Sequence, residues 1–133
     1  MATKIASRKA KARKLQDFIR DIFRDIFRHD LEEDDIKSAI MGESGIDIKL
    51  TPAARKLIPF DVEAKAQEKL NLNEALKQAE GNASDGRIPT VIFTKNTDKV
   101  WIALEFVEFM KLVYPEWVPG VKINKKSVVP LEE

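Results

Sequence analysis

Two short segments alternate apolar and charged residues so strictly that a strand with one face turned inward is the conformation that fits them. They are Ile46-Asp47-Ile48-Lys49-Leu50 and Phe60-Asp61-Val62-Glu63-Ala64-Lys65. Side-chain direction on an extended chain repeats every second residue. Ile46, Ile48 and Leu50 therefore share a core face, with Asp47 and Lys49 opposite. In the second segment Phe60, Val62 and Ala64 face inward, while Asp61, Glu63 and Lys65 face the other way. If the two strands are neighbours, Asp47 is set beside Glu63 and Lys65.

The rest of the chain supplies what such strands need to pack against. Leu15, Phe18, Ile19, Ile22, Phe23, Ile26 and Phe27 keep the i, i+3, i+4 spacing of an amphipathic helix, expected over about residues 8–28. Residues 29–45 read as irregular. Thr51-Pro52 ends the first strand, and the connection up to Pro59 has room for one helical turn. A second helix is expected over 67–81, with Gly81 as its stop. Pro89 to Phe93 is an apolar run suited to a strand covered on both faces. A turn at 96–99 leads into a strand at 100–104, then a short helix at 105–113 and an extended tail from Tyr114. This order predicts an α/β (α+β) sandwich in which a central mixed sheet is flanked by helices. At 133 residues it fills a single domain over 1–133.

Composition narrows the chemistry. Cysteine is absent and His29 is the only histidine, which rules out disulfides, thiolate catalysis and multi-histidine metal sites. A metal would have to be held by oxygen, which favours Mg²⁺ or Mn²⁺. No run approaches a membrane span, and a soluble, cytoplasmic protein is expected. Basic and acidic residues nearly cancel, 23 against 22, but unevenly along the chain. The first fourteen residues hold Lys4, Arg8, Lys9, Lys11, Arg13 and Lys14 and no acid. Such a basic arm over 1–14 either tracks a polyanion or merely solubilises the terminus. The five acids within 30–35 lack the spacing of a calcium loop and read as solvated surface. His29 reads as a helix cap or surface residue, and Trp101 as packing. Trp117 serves either a partner contact or an anchor.

Two carboxylates converging from adjacent strands make a natural divalent-cation site, and a lysine two residues from the glutamate shares its facing. That lysine can orient or deprotonate water, or offset phosphate charge, as metal-assisted phosphodiester hydrolysis requires. The bland alternative is a half-exposed hairpin with ordinary surface charges.

Gly45-Ile46-Asp47-Ile48, followed after a loop by Phe60-Asp61-Val62-Glu63-Ala64-Lys65, resembles the signature of the PD-(D/E)xK nuclease superfamily. The order of elements around it, roughly residues 8–113, is similar to that of the small Holliday junction resolvases of archaea and bacteriophages. The phage-like character lies in Ser38 to Asp47 and in Glu63 to Leu70.

The resemblance implies a restriction-endonuclease-like core and a Mg²⁺- or Mn²⁺-dependent endonuclease that resolves four-way DNA junctions as a homodimer. It implies that Asp47, Glu63 and the backbone carbonyl of Ala64 ligate the metal and that Lys65 is the catalytic lysine. Gln67 would position water or DNA, or cap the next helix. Ser38 would contact the scissile phosphate region, or be an ordinary loop serine. Arg8, Lys9, Lys11, Arg13 and Lys14 would bind DNA. The pattern departs at the first helix, where these enzymes carry a glutamate and this chain has Gln16, able to reach a metal through water but adding no charge. A nuclease of the same fold acting on another DNA, such as a repair nickase or restriction-like enzyme, remains open, as does a DNA-binding module without activity.

Overall fold

The computed structural model describes residues 4–40, 42–95 and 99–121. The run of cations near the N-terminus contains no proline or glycine, and helix α1 (Lys4–Ile26) starts within it. The expected basic arm is therefore, from Lys4 onward, the opening turns of α1. Leu15 and Ile19 are its most buried apolar residues, with Phe23 and Phe27 packing behind them.

After a short 3₁₀ turn at Glu33–Asp35 the chain forms strand β1 (Ile36–Ser38), a segment expected to be irregular. β1 pairs antiparallel with β2 (Ile48–Leu50), Ile36 opposite Leu50 and Ser38 opposite Ile48. The hairpin continues one step further through the Ala39 N–H, which donates to the Asp47 carbonyl at 2.8 Å. Helix α2 (Pro52–Leu57) has Thr51 as its N-cap, and Pro52 in the first turn supplies a preset φ.

Strands β3 (Phe60–Ala66), β4 (Ile88–Thr94) and β5 (Trp101–Ala103) make a mixed sheet in the order β3-β4-β5. β3 and β4 run parallel, with Glu63 level with Val91 and Lys65 with Phe93. β5 returns antiparallel to β4. Helix α3 (Leu72–Asn82) is the crossover between β3 and β4, and α4 (Phe106–Val113) follows β5. Helices thus flank a mixed sheet, as the pattern of periods predicts. The expected turn residues 96–98 and the tail beyond 121 lie outside the described residues. Among the described residues no helix is long and apolar enough to cross a membrane.

The two expected strands do not form a ladder with each other. β2 spends its pairing on β1, and contact with β3 is carried by the Asp47 N–H, which donates to the Val62 carbonyl at 2.9 Å. This backbone bond still places Asp47 against the middle of β3.

Both faces of β3 are covered. Val62 and Ala64 join Leu15, Ile19, Ile36, Ile48 and Ile58 in the main core under α1. On the opposite face Val91 packs against Ala75 and Ala79 of α3. Asp61 and Glu63 lie on that second face and are buried, at 2% exposure each. Asp61 is matched there by Arg87. The guanidinium donates to Asp61 Oδ1 at 3.0 Å and to the carbonyls of Arg55, Ile58 and Phe60, while the Ser84 N–H donates to Asp61 Oδ2. Every oxygen of this carboxylate is engaged, as a buried charge requires.

Candidate metal and catalytic site

A cleft of about 550 Å³ opens where the front of α1, the loop 42–45, the end of β3 and the inner face of α3 meet. Asp47, Glu63, Ala64, Lys65, Gln67 and Gln16 all line it. Three elements therefore bring together the residues that the alternation and the resemblance single out.

Asp47 enters at the mouth of β2, shortly after Gly45. Gly45 has φ of 97°, a conformation L side chains rarely adopt, and this turn delivers the chain to β3. The Ala64 N–H donates to Asp47 Oδ2 at 2.7 Å. Burial pushes the Asp47 carboxyl above its ordinary value, and the Ala64 N–H and the Lys65 charge oppose this only in part.

Glu63 is among the largest fully buried side chains of the protein. Asn82 Nδ2, at the end of α3, donates to Glu63 Oε1 at 2.7 Å. Burial raises the Glu63 carboxyl too; Asn82 opposes the rise and the adjacent Asp47 charge adds to it. Two neighbouring carboxylates that hold their protons more tightly than in water form a site electrostatically matched to a cation.

Gln16 sits one residue past Leu15 and so turns off the core stripe toward the cleft. With Arg8, Lys9 and Ala12 it forms the face of α1 that lines the cavity, and the small Ala12 leaves space before it. Gln16 is 7% exposed, and its Oε1 is buried without a hydrogen-bond partner. An unsatisfied buried amide oxygen costs about 1–3 kcal/mol. A hard cation held by Asp47 and Glu63 accepts such an oxygen as donor, directly or through water. The donor set, two carboxylates, an orphaned amide oxygen and the nearby Ala64 backbone, fits Mg²⁺ or Mn²⁺. Among the described residues no group of three His, Cys, Asp or Glu side chains is placed to hold a metal. A cation held here would need Gln16 and the backbone to complete its shell.

Lys65 reaches the cleft, where its Nζ donates to Gln78 Oε1 at 2.8 Å and not to either carboxylate. Gln67 follows β3 and is exposed at the cleft edge. Of the cations expected to meet DNA, Arg8 and Lys9 line this cleft, and Arg8 and Lys11 line an adjoining one with Gln67 and Lys69. Arg13 and Lys14 are exposed on α1 and line neither. Ser38 also lies outside the cleft, and its hydroxyl donates to Asp17 Oδ1 at 2.8 Å.

Three residues at the site are not evident from the sequence. Gln78 and Asn82 interrupt an otherwise apolar stripe of α3, falling with Ala75 and Ala79 at i, i+3, i+4, i+7, and that interruption is the available signal. Glu43 also lines the cleft. It accepts from the Ile40 N–H at 3.0 Å and faces Lys49 at 3.4 Å, contacts that hold its carboxyl below the ordinary value. Compared with known proteins, the chain matches no family model, no curated sequence and no solved structure.

Proposed function

We propose that this protein is a metal-dependent, structure-selective DNA endonuclease that hydrolyses phosphodiesters and resolves four-way junctions by paired cuts. The observation that carries the reading is Gln16, with a buried and unpartnered Oε1, lining one cleft with half-buried Asp47 and buried Glu63. Gln16 of α1, Asp47 just before β2 and Glu63 of β3 line it, and Lys65 with Arg8 and Lys9 of α1 line the same cleft.

Asp47, Glu63, Gln16 and the Ala64 carbonyl would hold the cation. When bound, Mg²⁺ or Mn²⁺ supplies a Lewis acid for phosphoryl oxygen and makes water more acidic. Lys65 brings a mobile positive charge to the cleft, suited to neutralising the negative charge that builds on the phosphate in the transition state. Arg8 and Lys9 bind phosphates of the same strand and fix its position, a contribution independent of base sequence. Gln67 at the cleft edge has donors and an acceptor for water or sugar-phosphate.

Paired cuts need two such clefts, and a twofold homodimer is the economical arrangement. The second reading, a DNA-binding module without activity, is favoured by one observation: the first helix offers a neutral amide where a third carboxylate would tighten the cation.

Cleavage of a four-way junction, a flap and a linear duplex, with and without Mg²⁺, separates these. The expected result is Mg²⁺-dependent cutting of the junction, reduced by at least about 100-fold in Lys65→Ala and Asp47→Asn while junction binding persists. Equal cutting of linear duplex removes the junction preference. Binding without cutting by the unaltered protein establishes the inactive module, and unchanged cleavage by the two variants overturns the site.

A further inference from the structure

Asp47 and Glu63 each accept a hydrogen bond from a neighbouring element at one carboxylate oxygen. Asp47 Oδ2 accepts the Ala64 N–H, and Glu63 Oε1 accepts Asn82 Nδ2. The two commitments differ in kind. The first is made by the backbone of β3 and comes with the strand. The second is made by a side chain at the last turn of α3, nineteen residues further along the chain, and depends on one amide. Four residues earlier on the same helical face, Gln78 engages Lys65. Residues four apart lie one above the other on a helix, so α3 presents one amide to the glutamate and one to the lysine.

We infer that Asn82 is a positioning residue that fixes Glu63 by engaging one carboxylate oxygen, leaving the other for the cleft shared with Asp47 and Gln16. A glutamate has three rotatable side-chain bonds, and a ligand free to leave its position binds a cation weakly. Partners behind a metal ligand commonly contribute roughly 10- to 100-fold in affinity by holding it in place. Gln78 has the corresponding relation to Lys65, which is not a ligand, so it bears on the reaction and not on the cation. The inference rests on the metal-dependent reading of the cleft and adds to it the helix that organises the site.

The test is calorimetric titration with Mn²⁺, in parallel with junction cleavage. Asn82→Ala is expected to weaken Mn²⁺ binding by about tenfold or more and to slow cleavage. Gln78→Ala is expected to slow cleavage while Mn²⁺ affinity stays within about twofold of the unaltered protein. In a Glu63→Ala background, which leaves Asn82 no carboxylate to hold, Asn82→Ala should cause no further drop in Mn²⁺ affinity; a merely structural role would cause the same drop again. Should Asn82→Ala fail to fold, Asn82→Ser removes the amide with less disturbance and carries the same expectation.

Mn²⁺ binding by Asn82→Ala equal to that of the unaltered protein overturns the inference and leaves the reading of the cleft intact. If the unaltered protein neither binds Mn²⁺ nor cuts, that reading falls and the inference with it.

Discussion

Asp47 and Glu63 hold an unfavourable position for carboxylates, and the cost has a measurable sign. Burial is the main cause of the raised value in each. A carboxyl whose native pKa lies above its unfolded value adds stability at low pH, where it is protonated. That stability disappears as pH rises from the ordinary carboxylate range through the raised native value. Above this window, with no metal present, the pair works against folding. Asn at position 47 keeps an oxygen for the Ala64 N–H and removes the charge. Asp47→Asn in EDTA should therefore melt higher than the unaltered protein at pH 7, and the difference should shrink as pH falls through the carboxylate range. Thermal unfolding at several pH values measures it. A variant that melts lower at pH 7 would show that Asp47 is stabilising without a cation. Asp61 shows why facing alone does not identify such residues: it shares the strand face of Glu63 and Lys65 but is saturated by Arg87 and the Ser84 N–H.

At the scale of elements, α1 has two jobs set by different faces. Leu15 and Ile19 anchor it to the core, while Arg8, Lys9 and Lys11 line the two clefts. Its first turn holds no acid, although the helix dipole favours negative charge there. Cations at that end gain little from the helix and are available to phosphate. Replacing Arg8 and Lys9 with Gln should lower the slope of log affinity for DNA against log salt by about 1 for each phosphate no longer neutralised. The melting temperature should be unchanged. Fluorescence anisotropy across a salt series reads the slope, and an unaltered slope would place the DNA elsewhere.

The elements legible in sequence are those whose period repeats often enough to register. α1 carries six apolar residues in helical register, from Leu15 to Ile26, and β3 alternates over six residues. β1 has three residues, too few to show a period of two. The expected start of α3 at 67 precedes the observed one at Leu72, because apolar spacing there masks the cap. Asn71 Oδ1 accepts the Glu74 N–H, and Asn followed three residues later by Glu is a start signal in its own right. The shared facing of Glu63 and Lys65 is legible because it is local to one strand, whereas Asp47 meets them only through its bonds to Val62 and Ala64. Asn82 and Gln78 are not legible, because their partnership depends on where the crossover helix lands on the sheet.

For the whole molecule, the distribution of apolar surface bears on how a single cleft could make paired cuts. Phe18 and Ile22 of α1 and Trp101 and Ile102 of β5 are all exposed, and together they line a groove of about 540 Å³ remote from the carboxylates. α4 buries none of its residues, and Phe106 is 69% exposed. Contiguous apolar surface of this kind marks an interaction site more often than an idle face. Among the described residues β5 also ends the three-stranded sheet, with no further strand on its outer edge beside Trp101. The paired-cut reading supplies the occupant, a second copy related by a twofold axis, for which an isologous patch is the required kind of surface. On that basis two chains should bind each junction, and sedimentation of the free protein should give twice the 15.1 kDa chain mass. Trp101→Asp should yield monomers that still bind Mn²⁺ and nick, but that leave the two cuts of a junction uncoordinated, so singly nicked junctions accumulate. A Trp101→Asp protein that remains dimeric would move the interface off this groove. A monomeric unaltered protein that still makes paired cuts would remove the need for a dimer altogether.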